Sequence, residues 1–122
     1  MNHQIIDRET TLPTEILAAL RENLHEQRLF RREQLQQLSA AATTRTAATR
    51  VRQSSSRAEV HVKLTASARM VLADVEAALE RMDHGGYGSC HLCRATIARE
   101  RLMIVPQARY CARCQQVREA GR

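Results

Sequence analysis

Apolar side chains return every three or four residues after Pro13: Ile16, Leu17, Leu20, Leu24, and further on Leu35 and Leu38. That spacing places them on one face of an α-helix. Pro13 suits its start, because the missing N–H is one the first turn would leave unpaired anyway. Phe30 falls slightly off the stripe, and Arg28 and Arg31 interrupt it in the middle. A second periodic run is cleaner. Ser56-Arg57-Ala58-Glu59 fits a capping box, in which Ser56 caps the backbone and Glu59 reaches back. Leu64, Ala68, Val71, Val75, Ala78 and Met82 then follow in alternating steps of four and three, a heptad rhythm that Leu72 and Leu79 broaden. Gly85-Gly86 ends the run.

Two amphipathic helices of matched length, joined by a short polar segment, predict an antiparallel coiled-coil hairpin. Each arm of ~28 residues spans about 42 Å. Pairing between two copies of the chain, or a bundle of several pieces, is the competing arrangement. The short connection favours closure within one chain, and hence a monomer. The fold class expected is mainly α: a flexible tail over 1–12, a helical hairpin over 13–84 with its tip at about 43–56, and a small C-terminal module over 85–122 that includes a short helix.

Composition narrows the picture. No stretch reaches the roughly 18–20 apolar residues a membrane span needs. Asp7, Arg8 and Glu9 interrupt the first residues, so no signal-peptide core is present. A soluble, cytoplasmic protein is expected. Phe30, Tyr87 and Tyr110 are the only aromatic residues, so a large globular core is not. The net charge of +6 permits an anionic partner, either nucleic acid or an acidic protein surface. From Gln34 to Ala58 there is no acidic residue, while Arg45, Arg50, Arg52 and Arg57 are spaced through Ala, Thr and Ser. One reading is a solvated hairpin tip. The other is a basic tip that touches phosphate or carboxylate groups.

The chain has four cysteines, in two pairs: Cys90-His91-Leu92-Cys93 and Cys111-Ala112-Arg113-Cys114. Two intervening residues let a tight turn aim both sulfurs at one ion, and two such turns complete a tetrahedron. A closed four-thiolate shell leaves no position for water, so one structural zinc is expected, held by Cys90, Cys93, Cys111 and Cys114. Iron suits the same four sulfurs. Two disulfides are the remaining option, disfavoured in a reducing compartment. His91 is a weaker ligand candidate, since four sulfurs already fill the shell. A module this small needs such a staple; zinc binding contributes ~10–16 kcal/mol in comparable peptides. Its miniature core is expected from Tyr87, Ile97, Leu102, Ile104 and Val105, with Tyr110 beside the second cysteine pair. Arg94 and Arg113 flank a centre whose net charge is negative.

The run Met82-Asp83-His84-Gly85-Gly86-Tyr87-Gly88-Ser89-Cys90, followed by Ile97, Arg101-Leu102, Pro106, Cys111 and Cys114, resembles the DksA/TraR zinc-finger family. The likeness is specific over about residues 75–115. It implies a zinc module at the base of a coiled-coil hairpin and binding to RNA polymerase through its secondary channel. It also implies non-enzymatic tuning of transcription initiation, in some members together with ppGpp. Two departures stand out. Well-known members carry paired aspartates at the tip, in an Asp-x-x-Asp-x-Ala pattern, which this chain lacks. Arg94 stands where the family often has glycine, a change that matters only if the position needs a positive φ.

The expected function is therefore a non-enzymatic transcription regulator that docks on RNA polymerase with an atypical, arginine-bearing tip. A nucleic-acid-binding zinc ribbon, using Arg45, Arg50, Arg52 and Arg57, is the alternative, and a thiol-based redox sensor a third. No catalytic residues are expected. The histidines are scattered at 3, 25, 61, 84 and 91, and no nucleophile–base pairing or phosphate loop is visible.

Overall fold

The computed structural model describes residues 12–44 and 55–121, with side chains over 12–41 and 56–121. The expectations for residues 1–11 and for Arg45, Arg50 and Arg52 at the tip lie outside the described residues. Within them the chain forms four helices: α1 (Thr14–Thr44), α2 (Ser55–His84), α3 (Arg99–Ile104) and α4 (Ala112–Ala120).

Helix α1 has 31 residues and α2 has 30, so each is about 45 Å long at ~1.5 Å per residue. The carbonyl of Pro13 accepts from the Leu17 N–H at 2.9 Å, so Pro13 precedes the first helical residue by one position. Helix α2 begins at Ser55, one residue ahead of the expected cap. It stops at His84 because Gly85 takes φ +84°, a left-handed conformation that a side chain resists.

The helices run antiparallel. Arg21 bonds Asp83, Arg32 bonds Glu76, and the His61 ring lies 3.1 Å from the Leu38 carbonyl, so rising numbers on α1 meet falling numbers on α2. A carbonyl only accepts, so the His61 Nε2 is the donor. Between the helices Leu24, Val75, Ala78 and Leu79 are buried, with Val71, Met82 and Tyr87 packed against them. The arginines of the imperfect seam, Arg28 and Arg31, are half-buried, and Phe30 is 61% exposed. The seam opens toward the far end: Ala68 is buried but Leu64 is 40% exposed. A two-helix rod has no further layer to cover its flanks.

At the base, the rod and the C-terminal module share one core. Leu20 of α1 is buried with Cys90, Ile97, Leu102 and Ala108, and Leu12, Ile16, Met82 and Tyr87 pack against the cluster. The Tyr87 hydroxyl donates to the Pro106 carbonyl at 2.8 Å. Burial pushes its pKa up to about 12, which keeps the phenol neutral and a donor. One expected core residue is misplaced. Ile104 is 81% exposed and Met103 59%. Helix α3 is one and a half turns long and turns Leu102 inward, so the two residues that follow point away from the core.

Candidate metal centre and its surroundings

The first cysteine pair sits in a small hairpin. Ser89 and Thr96 form an isolated antiparallel bridge. The Cys90 N–H donates to Ala95 at 2.8 Å, and the Ile97 N–H donates to Gly88 at 2.7 Å. The tight turn between is closed by the Arg94 N–H donating to the Cys90 carbonyl at 3.0 Å. Closing it forces Arg94 to φ +66°. The position thus needs the left-handed region, and here a side chain occupies it.

The second pair opens a helix. Cys111 is the N-cap of α4, and its sulfur accepts from the Cys114 N–H at 3.4 Å. A helix N-terminus is partly positive and favours a thiolate. The Cys111 thiol is accordingly lowered, chiefly by that N–H. The two turns are tied to each other by the His91 N–H, which donates to the Arg109 carbonyl at 2.8 Å.

The fold brings together all four cysteines singled out by spacing. Their sulfurs lie within 4.8 Å of one another, and Cys93 and Cys111 are 3.9 Å apart. A zinc tetrathiolate with ~2.3 Å bonds has edges of about 3.8 Å, whereas a disulfide requires about 2.05 Å. The cysteines are unpaired, so the disulfide alternative is not what this fold builds. Cys90 is fully buried and Cys93 exposed. Burial works against ionising Cys90, but the N–H groups of Cys93, Cys111 and Leu92 outweigh it and draw the thiol down to about 6. The neighbouring Cys111 sulfur pushes the Cys114 thiol up to about 12, as crowding of sulfurs in one cluster does in the absence of a cation. This donor set fits one structural zinc ion. His91 is exposed and stands outside the cluster.

Around the centre, Tyr110 meets the His91 ring edge-on at 6.0 Å, and the Arg118 guanidinium lies 4.6 Å above the Tyr110 ring. Local desolvation, then Arg81, Arg109 and Arg94, lowers the His91 pKa. Two features were not legible in the sequence. Arg109 pairs with Asp74 of α2 at 2.8 Å, bracing the module on the rod. Arg81 is wedged beneath, with Nη2 donating to the Ala108 carbonyl at 3.4 Å and Nε buried without a partner. Burial and then Arg109 lower the pKa of its guanidinium. No fixed sequence interval marks such contacts.

A four-cysteine finger seated on a helical hairpin is a defined class of protein. Residues 85–120 match the family model described as the prokaryotic dksA/traR C4-type zinc finger. An uncharacterized protein of Aquifex aeolicus (strain VF5) is 40% identical over 52 residues, which span 41% of this chain and 36% of that relative. Among solved structures, transcription factor DksA2 from Pseudomonas aeruginosa superposes with a TM-score of 0.70 at 20% identity, covering 88% of this chain and 85% of that one. The RNA polymerase binding protein and transcriptional regulator Dks from Chlamydia trachomatis L2 (LGV434) gives 0.52 at 22% identity, over 91% and 95%. The likeness read from residues 75–115 therefore holds for the finger, and the similarity of fold to DksA2 extends over the hairpin.

Proposed function

We propose that this protein is a non-enzymatic transcription regulator that binds RNA polymerase, with the finger as anchor and the hairpin inserted into the secondary channel. The carrying observation is the union of a C4 finger with a hairpin whose fold matches DksA2 over most of the chain. Cys90, Cys93, Cys111 and Cys114 each ligate the zinc. The chain divides functionally into a tail to about residue 12, a hairpin to residue 84 and a finger from residue 85, and it acts as a monomer in the cytoplasm. Channel entry suits a rod about 45 Å long and two helices wide.

The tip carries no carboxylate between Gln34 and Ala58. Acidic tips can engage a metal-bearing catalytic centre, and arginine and alanine cannot. The effect on initiation is accordingly weaker than, or opposed to, that of acidic-tipped relatives. Pull-down with purified RNA polymerase core enzyme tests binding. Retention of stoichiometric protein at near-physiological salt is expected, and its absence refutes the proposal. In vitro transcription on a ribosomal promoter tests the tip: inhibition as strong as an acidic-tipped relative's refutes that part alone.

A further inference from the structure

Helix α1 carries four acids, Glu15, Glu22, Glu26 and Glu33. At ~100° per residue all four fall within about 40° of one another around the helix. The buried Leu20 and Leu24 fall on the opposite side, so the acids form one outward stripe, and each of them is exposed. From Glu15 to Glu33 the stripe is about 27 Å long. Two large apolar side chains interrupt it between Glu26 and Glu33. Leu29 lies within the stripe and Phe30 along its edge, 62% and 61% exposed. The Arg31 guanidinium lies 5.4 Å from the Phe30 ring centroid and leaves the ring mostly in solvent.

Acids on a helix surface are commonly relieved by basic residues three or four positions away. Here none of the chain's nineteen lysines and arginines stands three or four positions from any of the four glutamates. Glu22 and Glu26 are themselves four apart, a like-charge spacing that works against the helix. The arginines of α1 are engaged elsewhere: Arg21 bonds Asp83, Arg32 bonds Glu76, Arg31 bonds Gln34 and Arg28 meets His25. Among the described residues no ion pair includes a glutamate of α1. Stability of the rod gives no account of this face. Two adjacent large apolar side chains flanked by unpaired acids have the anatomy of an interface, an apolar centre with a charged rim.

We propose that this outward face of α1 docks on RNA polymerase, with Leu29 and Phe30 entering an apolar cleft rimmed by lysine or arginine side chains. The inference rests on the polymerase-binding reading and names the side of the rod that makes the contact. The charge of the stripe selects the partner. Phosphate backbones and anionic membranes are repelled by it. A second copy paired face to face about a two-fold axis sets glutamate against glutamate, which disfavours self-association through this surface.

The test is fluorescence anisotropy of zinc-loaded full-length protein, labelled at its N-terminus and titrated with RNA polymerase core enzyme at low and near-physiological salt. F30A loses roughly tenfold or more in affinity, as an aromatic anchor does. E22Q/E26Q/E33Q binds more weakly at low salt and loses much of the wild-type salt dependence, because rim charges act mainly on association. M70A removes a side chain of similar exposure, 65%, from α2 and changes affinity by no more than about twofold. Every substituted side chain is exposed, so melting temperatures stay close to wild type and lost binding is not unfolding. If wild type binds and both α1 variants bind equally well, this face is refuted and the polymerase reading stands. If wild type does not bind, both fall. Equal losses in F30A and M70A overturn the assignment to α1, and tighter binding by E22Q/E26Q/E33Q overturns the basic rim.

Discussion

Replacing Arg94 by glycine should stabilise this protein, although it removes a charged side chain next to the metal centre. The residue sits at φ +66° so that its N–H can reach the Cys90 carbonyl at 3.0 Å. In that region an L residue crowds its Cβ against the following carbonyl, at about 1–2 kcal/mol. Glycine removes the crowding but frees the unfolded chain, which gives back about 0.4–1 kcal/mol. The net gain is about 0.5–1 kcal/mol, a rise of a few degrees in Tm for a chain of this size. Arg94→Ala is the control. It loses the same guanidinium and keeps the Cβ, so it gains nothing from the backbone. Thermal unfolding of the three proteins should be followed at one fixed zinc concentration, since metal bound to the native state shifts every Tm by mass action. The glycine variant should melt highest. If it melts at or below the alanine variant, the strain assigned to the turn is wrong. If both variants fall equally, the arginine is stabilising the zinc centre through its charge.

Removing zinc with a strong chelator, or substituting Cys93→Ser, should abolish the near-ultraviolet circular dichroism signal, because both tyrosines lie in the finger or against it; a signal that survives with no zinc bound would show that the finger folds without metal. Leu24→Ala should cost about 2–5 kcal/mol in denaturant unfolding, because Leu24 is fully buried between the helices. Ile104→Ala, at 81% exposure, should stay within about 0.5 kcal/mol; comparable losses for the two would contradict the packing described. Arg21 holds the Asp83 carboxyl below its ordinary pKa, mainly through the 2.8 Å hydrogen bond. A lowered folded pKa favours the native state above the ordinary carboxylate pKa, and the contribution fades as pH falls through the folded value. Arg21→Ala should bring Asp83 back toward the usual carboxylate range in an NMR titration; an unmoved Asp83 would show that the pair does not persist in solution.

The fold class and the metal cluster were readable before any coordinates, for local reasons. Helical periodicity is written in residues three and four apart, and it announced both arms, while Gly85-Gly86 marked the end of the second. Two-residue cysteine spacing encodes a turn that converges on one ion, and all four sulfurs meet as that spacing implies. Where burial depends on which neighbour lies opposite, the pattern misled: Ile104 looked like core and faces solvent, and Leu64 began a seam that closes only at Ala68.

The relation between rod and finger was invisible in the chain. Leu20 serves the finger's core, while Leu24, four residues on, serves the rod's. Asp74 and Arg109 meet although 35 positions apart in the chain, and Arg81 is trapped beneath them. Arg94 could be flagged as unusual, but only the backbone trace revealed its positive φ. Local signals need only the geometry of a turn or a helix. Contacts between distant segments depend on how two rigid pieces settle against each other, and no regular interval along a polypeptide records that.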